Sequence, residues 1–322
     1  LIINDILNTC NKRTSSIGTL GFSTPGGIIS TGFTTPESID LHQILKTMKD
    51  GGINYVPMEV SSHAIDMHRV EDIKYKVGIF TNLSQDHLDY HKSLKNYLKA
   101  KLYLFEHLIK KRGNVITDEE IPEFNKIKKV TLDNNLNLFS LFDKKNNFQF
   151  LSHEFKGETQ ILKIKHDNLI YKIKLNLIGK IQLKNILMAV IAARKSNINI
   201  KRIFKTLPKI KSVEGRFEKI GKIKNKSKVI LDYAHTPDAL KTCLLNLREQ
   251  FPNKKIIVLF GCGGNRDQNK RPKMGKMASE YADSIVLTND NPRFENPQKI
   301  RRDIKKGIKK KRITEISNRA IA

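Results

Sequence analysis

No apolar run in this 322-residue chain approaches the roughly 18 residues that mark a bilayer-crossing helix, so no membrane span is expected. Cysteine is scarce: Cys10, Cys243 and Cys262 lie far apart and match no metal or redox spacing. That pattern excludes a disulfide framework and suits a reducing cytoplasm. No charged segment precedes an apolar one near Leu1, so no signal peptide is visible, and no internal repeat is seen. Acidic residues are few beside basic ones, 32 against 59, for a net charge of +27. Such a charge can mark a nucleic-acid or anion binder. Here the lysines are scattered, as in KIKNKSK and KKGIKKKR, without aromatic interleaving or a nucleic-acid motif. A bias toward lysine, isoleucine and asparagine everywhere explains them better. No nucleic-acid partner is expected, although a phosphate-rich substrate would benefit from the field.

What is present is an alternation of strand and helix patterns, which argues for parallel α/β architecture in two domains. Short strands are expected at Ile17–Gly21, Ile28–Thr31, Tyr55–Val60, Val77–Thr81 and Asn114–Thr117, with helices from Ser38 or Asp40 to Met48 and over Ser93–Leu108. From about 130 to 178 the pattern becomes a small antiparallel meander, followed by helices over Gln182–Lys195 and Ile200–Leu207. Pro208 and KIKSVEGRFE read as a hinge, dividing a domain over 1–212 from one over 213–322. In the second, strands are expected at Lys228–Asp232, Ile256–Phe260 and Ser284–Leu287, and helices over Pro237–Gln250, Arg271–Tyr281 and Pro297–Lys310. No strand is expected after the last helix.

Several motifs fall at strand ends, where α/β sheets bind ligands. TNDNPR, residues 288–293, places a carboxylate, an amide, a proline and a guanidinium after one strand. An Arg there can grip a carboxylate with two parallel hydrogen bonds, which Lys cannot imitate. MEVSSHAIDMHRV offers Glu59 and TNLSQDHLDYH offers His87, a carboxylate and an imidazole that together could hold a divalent cation. Taken singly, each is more often structural. Lys99 and Lys101 in YLKAKLYLF read as a solvated basic face. DYAHTPDAL ends a strand and opens a helix, so His235 and Thr236 suit a phosphate or nucleotide. Gly261, Gly263 and Gly264 could let backbone N–H groups approach an anion, with Arg266, Lys270 and Arg271 adding charge.

Together, in this order, MEVSSHAIDMHRV, TNLSQDHLDYH, YLKAK, EGRFE, DYAHTPDAL, GCGGNRDQNKRP and DNPR resemble the Mur ligase family, on its diaminopimelate-adding branch. The resemblance spans nearly all of residues 16–320 and is least clear over 120–175. It implies a central ATP-binding domain, mostly parallel sheet with a small antiparallel sheet, and a Rossmann-like C-terminal domain that binds the amino acid. It implies an ATP-dependent ligase that activates the carboxylate of UDP-N-acetylmuramoyl-L-alanyl-D-glutamate as an acyl phosphate and joins it to meso-2,6-diaminopimelate, in peptidoglycan synthesis. By that likeness Glu59, His87 and Lys101 are metal ligands for two Mg²⁺ ions, Lys101 as a carbamate, which promotes it above Lys99. Thr34, Thr35, Ser61 and Arg69 match residues that hold the UDP-muramoyl peptide, and Asn185, Arg216 and His235 match positions around ATP. Arg266, Asp290, Asn291, Pro292 and Arg293 match the amino-acid pocket, with Arg293 facing the distal carboxylate that lysine lacks. A monomer is expected.

The chain departs from the family pattern in places. Its G-T-N-G-K-T phosphate loop and UDP-binding domain would precede Leu1, and its A-G-K-G-H-E segment would follow Ala322, so these 322 residues are expected to be the inactive middle of a longer enzyme. Phe33, Met67 and Gln182 stand where relatives commonly carry asparagine, glutamine and asparagine. The rival readings are a lysine-adding or folylpolyglutamate-type ligase, a basic nucleic-acid binder, and a decayed remnant. DNPR and GCGGNRD argue against the first, the intact motifs against the other two.

Overall fold

A computed structural model describes residues 1–24, 27–223, 227–309 and 312–322. Parts of both lysine-rich runs, and Lys310 at the end of the last expected helix, lie outside the described residues. The chain forms two compact units, one of Leu1–Leu83, His91–Leu177 and Ile181–Val213, the other of Ser84–Tyr90, Ile178–Lys180 and Glu214–Ala322.

The first unit opens with α1 (Ile2–Thr9), then an antiparallel trio of β1 (Ile17–Gly18), β2 (Gly21–Thr24) and β3 (Gly27–Ile29). Helix α2 (Ser38–Asp50) ends at Gly51, as expected. Tyr55–Val60 is not a strand. It makes only the isolated parallel bridges Thr14↔Tyr55 and Ile17↔Met58. Pro57 interrupts the segment: it has no N–H to give a ladder, and it serves only as acceptor from Ile17. Helix α3 (Ser62–Asp66) follows at once, capped by the Ser61 hydroxyl.

A parallel sheet of β4 (Tyr75–Phe80), β5 (Ile109–Thr117) and β6 (Asn137–Ser140) lies in that order. Between β4 and β5 run α4 (Leu88–His91) and α5 (Leu94–Tyr103), and α5 continues as a π-helical turn over Leu104–Leu108. Helix α6 (Phe124–Asp133) precedes β6, so the antiparallel meander is narrower than expected. It consists of β7 (Gln149–Lys156), β8 (Thr159–His166) and β9 (Leu169–Leu175). Ile127 and Thr131, one helical turn apart and buried, set the period of residues 124–133 to that of a helix. Helices α7 (Lys180–Lys195) and α8 (Ile200–Thr206) complete the unit. Residues from Ile186 to Ala193 of α7 are all buried, against Ile6, Leu7, Ile116, Leu162, Ile164 and Leu175. A helix apolar all round belongs at the centre of a core.

In the second unit β10 (Glu218–Lys222) pairs antiparallel with β11 (Lys228–Leu231), and α9 (Pro237–Gln250) follows, capped by Thr236. A parallel sheet in the order β12 (Ile257–Phe260), β13 (Ser284–Leu287) and β14 (Arg312–Glu315) alternates with α10 (Lys270–Tyr281) and α11 (Pro297–Lys305). Leu240, Leu244, Met274, Ala278, Ile285, Leu287, Ile300 and Ile304 form its core. Strand β14 corrects the expectation that none would follow the last helix. Ile313 is its only large apolar residue and all four residues are exposed, so it carries no hydrophobic signature. Its pairing with β13, Ile285 opposite Ile313, makes it a strand.

Candidate functional site

Three loops of the first unit converge on Glu59, whose N–H donates to Ile17 O at 2.9 Å. Its Oε2 accepts from the Thr19 N–H at 3.2 Å and the Thr19 hydroxyl at 2.9 Å. The Thr34 hydroxyl lies 3.2 Å from that of Thr19. Thr35 is buried; its hydroxyl donates to Glu59 O and accepts from Ser61 N–H, both at 3.0 Å. Arg69 donates to Thr35 O at 3.3 Å and pairs with Glu37 at 2.7 Å. Its guanidinium lies 5.1 Å from the centre of the Phe33 ring, and it donates to Met67 Sδ at 3.4 Å. Two residues that depart from the family pattern therefore both contact Arg69. Glu59, Thr34, Thr35, Ser61 and Arg69 are thus brought together on one unit.

Lys101 projects from α5 and donates to Asn82 O at 3.0 Å. Its Nζ lies 5.3 Å from the Phe80 ring centre and 5.0 Å from that of Tyr97. Tyr97 also stacks with His91 at 5.0 Å, and buried His91 shares a 2.9 Å hydrogen bond with Ser62. Lys99, by contrast, is exposed. Elsewhere in this unit Asn185 donates to Gln182 Oε1 at 3.4 Å. Its neighbour Lys184 bridges Asp118 at 2.5 Å and Glu120 at 2.6 Å, just past the end of β5. Burial depresses the Lys184 ammonium, but the two carboxylates outweigh it and raise the pKa.

His87 belongs to the second unit, on the segment Ser84–Tyr90. Asp86 accepts the His87 N–H at 2.9 Å and lies 3.2 Å from His235 Nε2. Burial pushes the Asp86 carboxyl up, but the His235 hydrogen bond, with His87 beside it, holds it at about 2. The same bond raises His235. His235 also lies against Tyr233, ring centres 5.0 Å apart, and Arg216 sits 4.8 Å over that ring. Asp232 accepts the N–H groups of Phe217 and Ala234, which fastens this exposed shelf to β10 and β11. Burial raises the Asp232 carboxyl against those two bonds.

The TNDNPR segment leaves β13 and lies directly on the glycine loop that leaves β12. Gly264 N–H donates to Asn291 O at 2.9 Å, and Arg293 Nη1 donates to Gly264 O at 2.8 Å. A Cβ on Gly264 would fall 1.8 Å from Pro292 O, and one on Gly261 2.5 Å from Thr288 O. Sequence reading expects these glycines to admit an anion; what they admit here is the other loop's backbone. Asp290 pairs with Arg319 at 2.9 Å. Arg266 is exposed, with no hydrogen bond or ion pair from its side chain among the described residues. Arg271 does not add free charge. It is fully buried, pairing with Glu295 at 2.8 Å and Asp303 at 3.3 Å.

Among the described residues no three His, Cys, Asp or Glu side chains gather as a metal site, and no helix is long and apolar enough to cross a membrane. Sequence reading did not single out Thr19, Asp86 or Glu295. Asp86 lies inside TNLSQDHLDYH and Glu295 two residues past DNPR, whereas Thr19 is near no motif and carries no signal in the sequence.

Residues 2–193 match the Mur ligase middle domain, and residues 215–322 match the family described as Mur ligase, glutamate ligase domain. A Rickettsia montanensis protein named UDP-N-acetylmuramoyl-L-alanyl-D-glutamate--2,6-diaminopimelate ligase is 36% identical over 96% of this chain and 64% of its own length. A protein of the same name from Leptospira interrogans is 37% identical over 91% of this chain and 58% of its own. The chain thus spans less than two thirds of these relatives. A solved structure under that name aligns with TM-score 0.68 at 27% identity, covering 99% of this chain and 65% of the other. MurF from Acinetobacter baumannii shares the fold, with TM-score 0.73 at 17% identity over 99% of this chain and 64% of its own. With both family descriptions matched in the order in which the motifs were read, the chain belongs to the Mur ligase family.

Proposed function

We propose that this chain serves an ATP-dependent ligase that adds meso-2,6-diaminopimelate to UDP-N-acetylmuramoyl-L-alanyl-D-glutamate in peptidoglycan synthesis. The names of its relatives support the reaction. The observation that carries the substrate is the platform of the second unit. Arg293 is fastened to Gly264, and Arg266 leaves the same glycine loop two residues later. Two guanidiniums on one braced surface suit an amino acid with a carboxylate at each end. L-Lysine has nothing at its far end for Arg293 to grip, so a lysine-adding ligase is the weaker reading.

Bound ATP with Mg²⁺ would supply a phosphoryl group, leaving ADP and turning the D-glutamyl carboxylate into an acyl phosphate; the incoming amine would attack its acyl carbon, forming the amide and releasing phosphate. Glu59 fits such a cation. It is an exposed carboxylate with a hard oxygen donor, oriented by Thr19. Lys101 as an ammonium, which donates to Asn82 O, offers no ligand oxygen; as a carbamate it would offer two. His87 is proposed as a metal ligand from the family likeness. Thr34, Ser61 and Arg69 are proposed to hold the UDP-linked substrate, with Thr35 bracing them from within, since its hydroxyl is already engaged at both ends. Arg216 and His235 on their shelf with Tyr233 are proposed to contact ATP, and Asn185 is proposed as a further ATP contact from the family likeness. Asp290, Asn291 and Pro292 shape the amino-acid pocket. A cytoplasmic monomer without a nucleic-acid partner accompanies this reading.

Arg293→Ala in the full-length protein tests it. Losing a bidentate charge-assisted pair should lower kcat/KM for meso-diaminopimelate about a hundredfold, roughly 2.7 kcal/mol. An unchanged kcat/KM would remove Arg293 from the pocket.

A further inference from the structure

The platform that carries Arg266 and Arg293 has an unusual means of support. Phe294, next to Arg293, is 96% exposed, so no apolar burial anchors this stretch. Hydrogen bonds anchor it instead. Phe294 N–H donates to Asn265 Oδ1 at 3.1 Å, and Glu295 N–H donates to Pro292 O at 2.9 Å. The Glu295 side chain turns back: its Oε1 accepts the Asn265 N–H at 2.5 Å and the Arg271 guanidinium at 2.8 Å. Arg271 is itself fully buried and held from its other side by Asp303. One carboxylate oxygen thus ties the 291–295 loop, the glycine loop and helix α10 together.

Two residues beside this tie have left-handed backbones. Asn265 and Arg293 both have φ of +49°, in the left-handed region that is tolerable for asparagine and unfavourable for arginine. Such a backbone persists only where its surroundings hold it. Asn265, which Glu295 holds by its N–H, directly precedes Arg266. Arg293 lies two residues before Glu295. Both arginines thus stand next to backbone held by a side chain that makes no hydrogen bond or ion pair with either among the described residues.

The geometry points to Glu295 as a positioning residue for amino-acid selection: by clamping Asn265 and Arg271 it sets the separation of Arg266 and Arg293, and so the fit of a substrate bearing two carboxylates. This rests on the proposed use of meso-diaminopimelate. A merely structural Glu295 would lower stability without changing which amino acid is preferred; a positioning Glu295 changes the preference.

The test is Glu295→Gln in the full-length protein, assayed with meso-diaminopimelate and with L-lysine as alternative substrates. The ratio of their kcat/KM values is expected to fall about tenfold or more, chiefly through KM for diaminopimelate, with KM for ATP nearly unmoved. Glu295→Asp keeps the charge for Arg271 and shortens the reach to Asn265; it is expected to fall between wild type and Glu295→Gln, and serves alone if Glu295→Gln does not fold. An unchanged ratio in the folded variant, whatever the loss of Tm, overturns the positioning role. Wild-type protein that does not favour meso-diaminopimelate overturns the underlying substrate reading instead.

Discussion

Arg293 and Gly264 divide one task between them. The arginine supplies the charge, and the glycine lets its loop come close enough to be held. A methyl group at Gly264 would meet the backbone carbonyl of Pro292, which no rotamer change can relieve. Gly264→Ala is therefore expected to destabilise the second unit by about 2 kcal/mol, the usual scale of an overpacked contact with no room to yield. Thermal unfolding measures this; a Tm within 1 °C or so of wild type would show that the loops can part freely. At this scale the sequence was legible where chemistry is written in residue type. Glu59, His87 and Arg293 could be singled out because carboxylate, imidazole and guanidinium stand in recognisable motifs, Lys101 only through the family resemblance, and their roles are proposals. Arg271 was misread because a sequence position says nothing of burial. Only folding brings Glu295 and Asp303 to it.

Elements are joined in the second unit by charge as much as by apolar contact. Arg271 on α10 reaches Asp303 on α11, and Arg301 on α11 reaches Glu315 on β14 at 2.7 Å. Lys305 pairs with the other Glu315 oxygen at 2.8 Å. The carboxyls answer in one direction. Arg271 lowers Glu295, Lys306 with Arg271 lowers Asp303, and Lys305 with Arg301 lowers Glu315. A carboxyl lowered in the folded state stabilises it above its unfolded pKa of about 4, and that stability is lost as pH falls through the lowered value. The denaturant midpoint of the second unit is therefore expected to drop between about pH 5 and pH 3, and Glu315→Gln to flatten the slope. Circular dichroism can follow it, since the chain has no tryptophan. A Glu315→Gln slope identical to wild type would separate these pairs from stability. The same pairs explain what the sequence concealed. β14 has little apolar content, and the charged partners of Glu315 lie on the preceding helix, so neither propensity nor pattern marked it. The strand expected over Tyr55–Val60 failed for the opposite reason: its apolar pattern was right, but Pro57 could not complete a ladder. Strands with ordinary apolar alternation, such as β8 and β9, were read from pattern alone because burial on one face imposes a period of two.

Across the whole chain, a net charge of +27 says less about function than a handful of loop residues do. The charge is spread over both units, and the organised cations are mostly committed: Lys184 to Asp118 and Glu120, Arg271 to Glu295 and Asp303, Arg301 to Glu315. Arg266, exposed beside a braced loop, stands apart from them. The substrate proposed above, with two carboxylates, is complementary to such a surface in charge. The most direct measurement is amino-acid-dependent phosphate release by the full-length protein supplied with ATP, Mg²⁺ and UDP-N-acetylmuramoyl-L-alanyl-D-glutamate, across a panel of amino acids. Release with meso-diaminopimelate is expected at a kcat/KM at least about a hundredfold above that with L-lysine, as one lost bidentate pair implies. Comparable use of L-lysine, or release with no amino acid preferred, would contradict it.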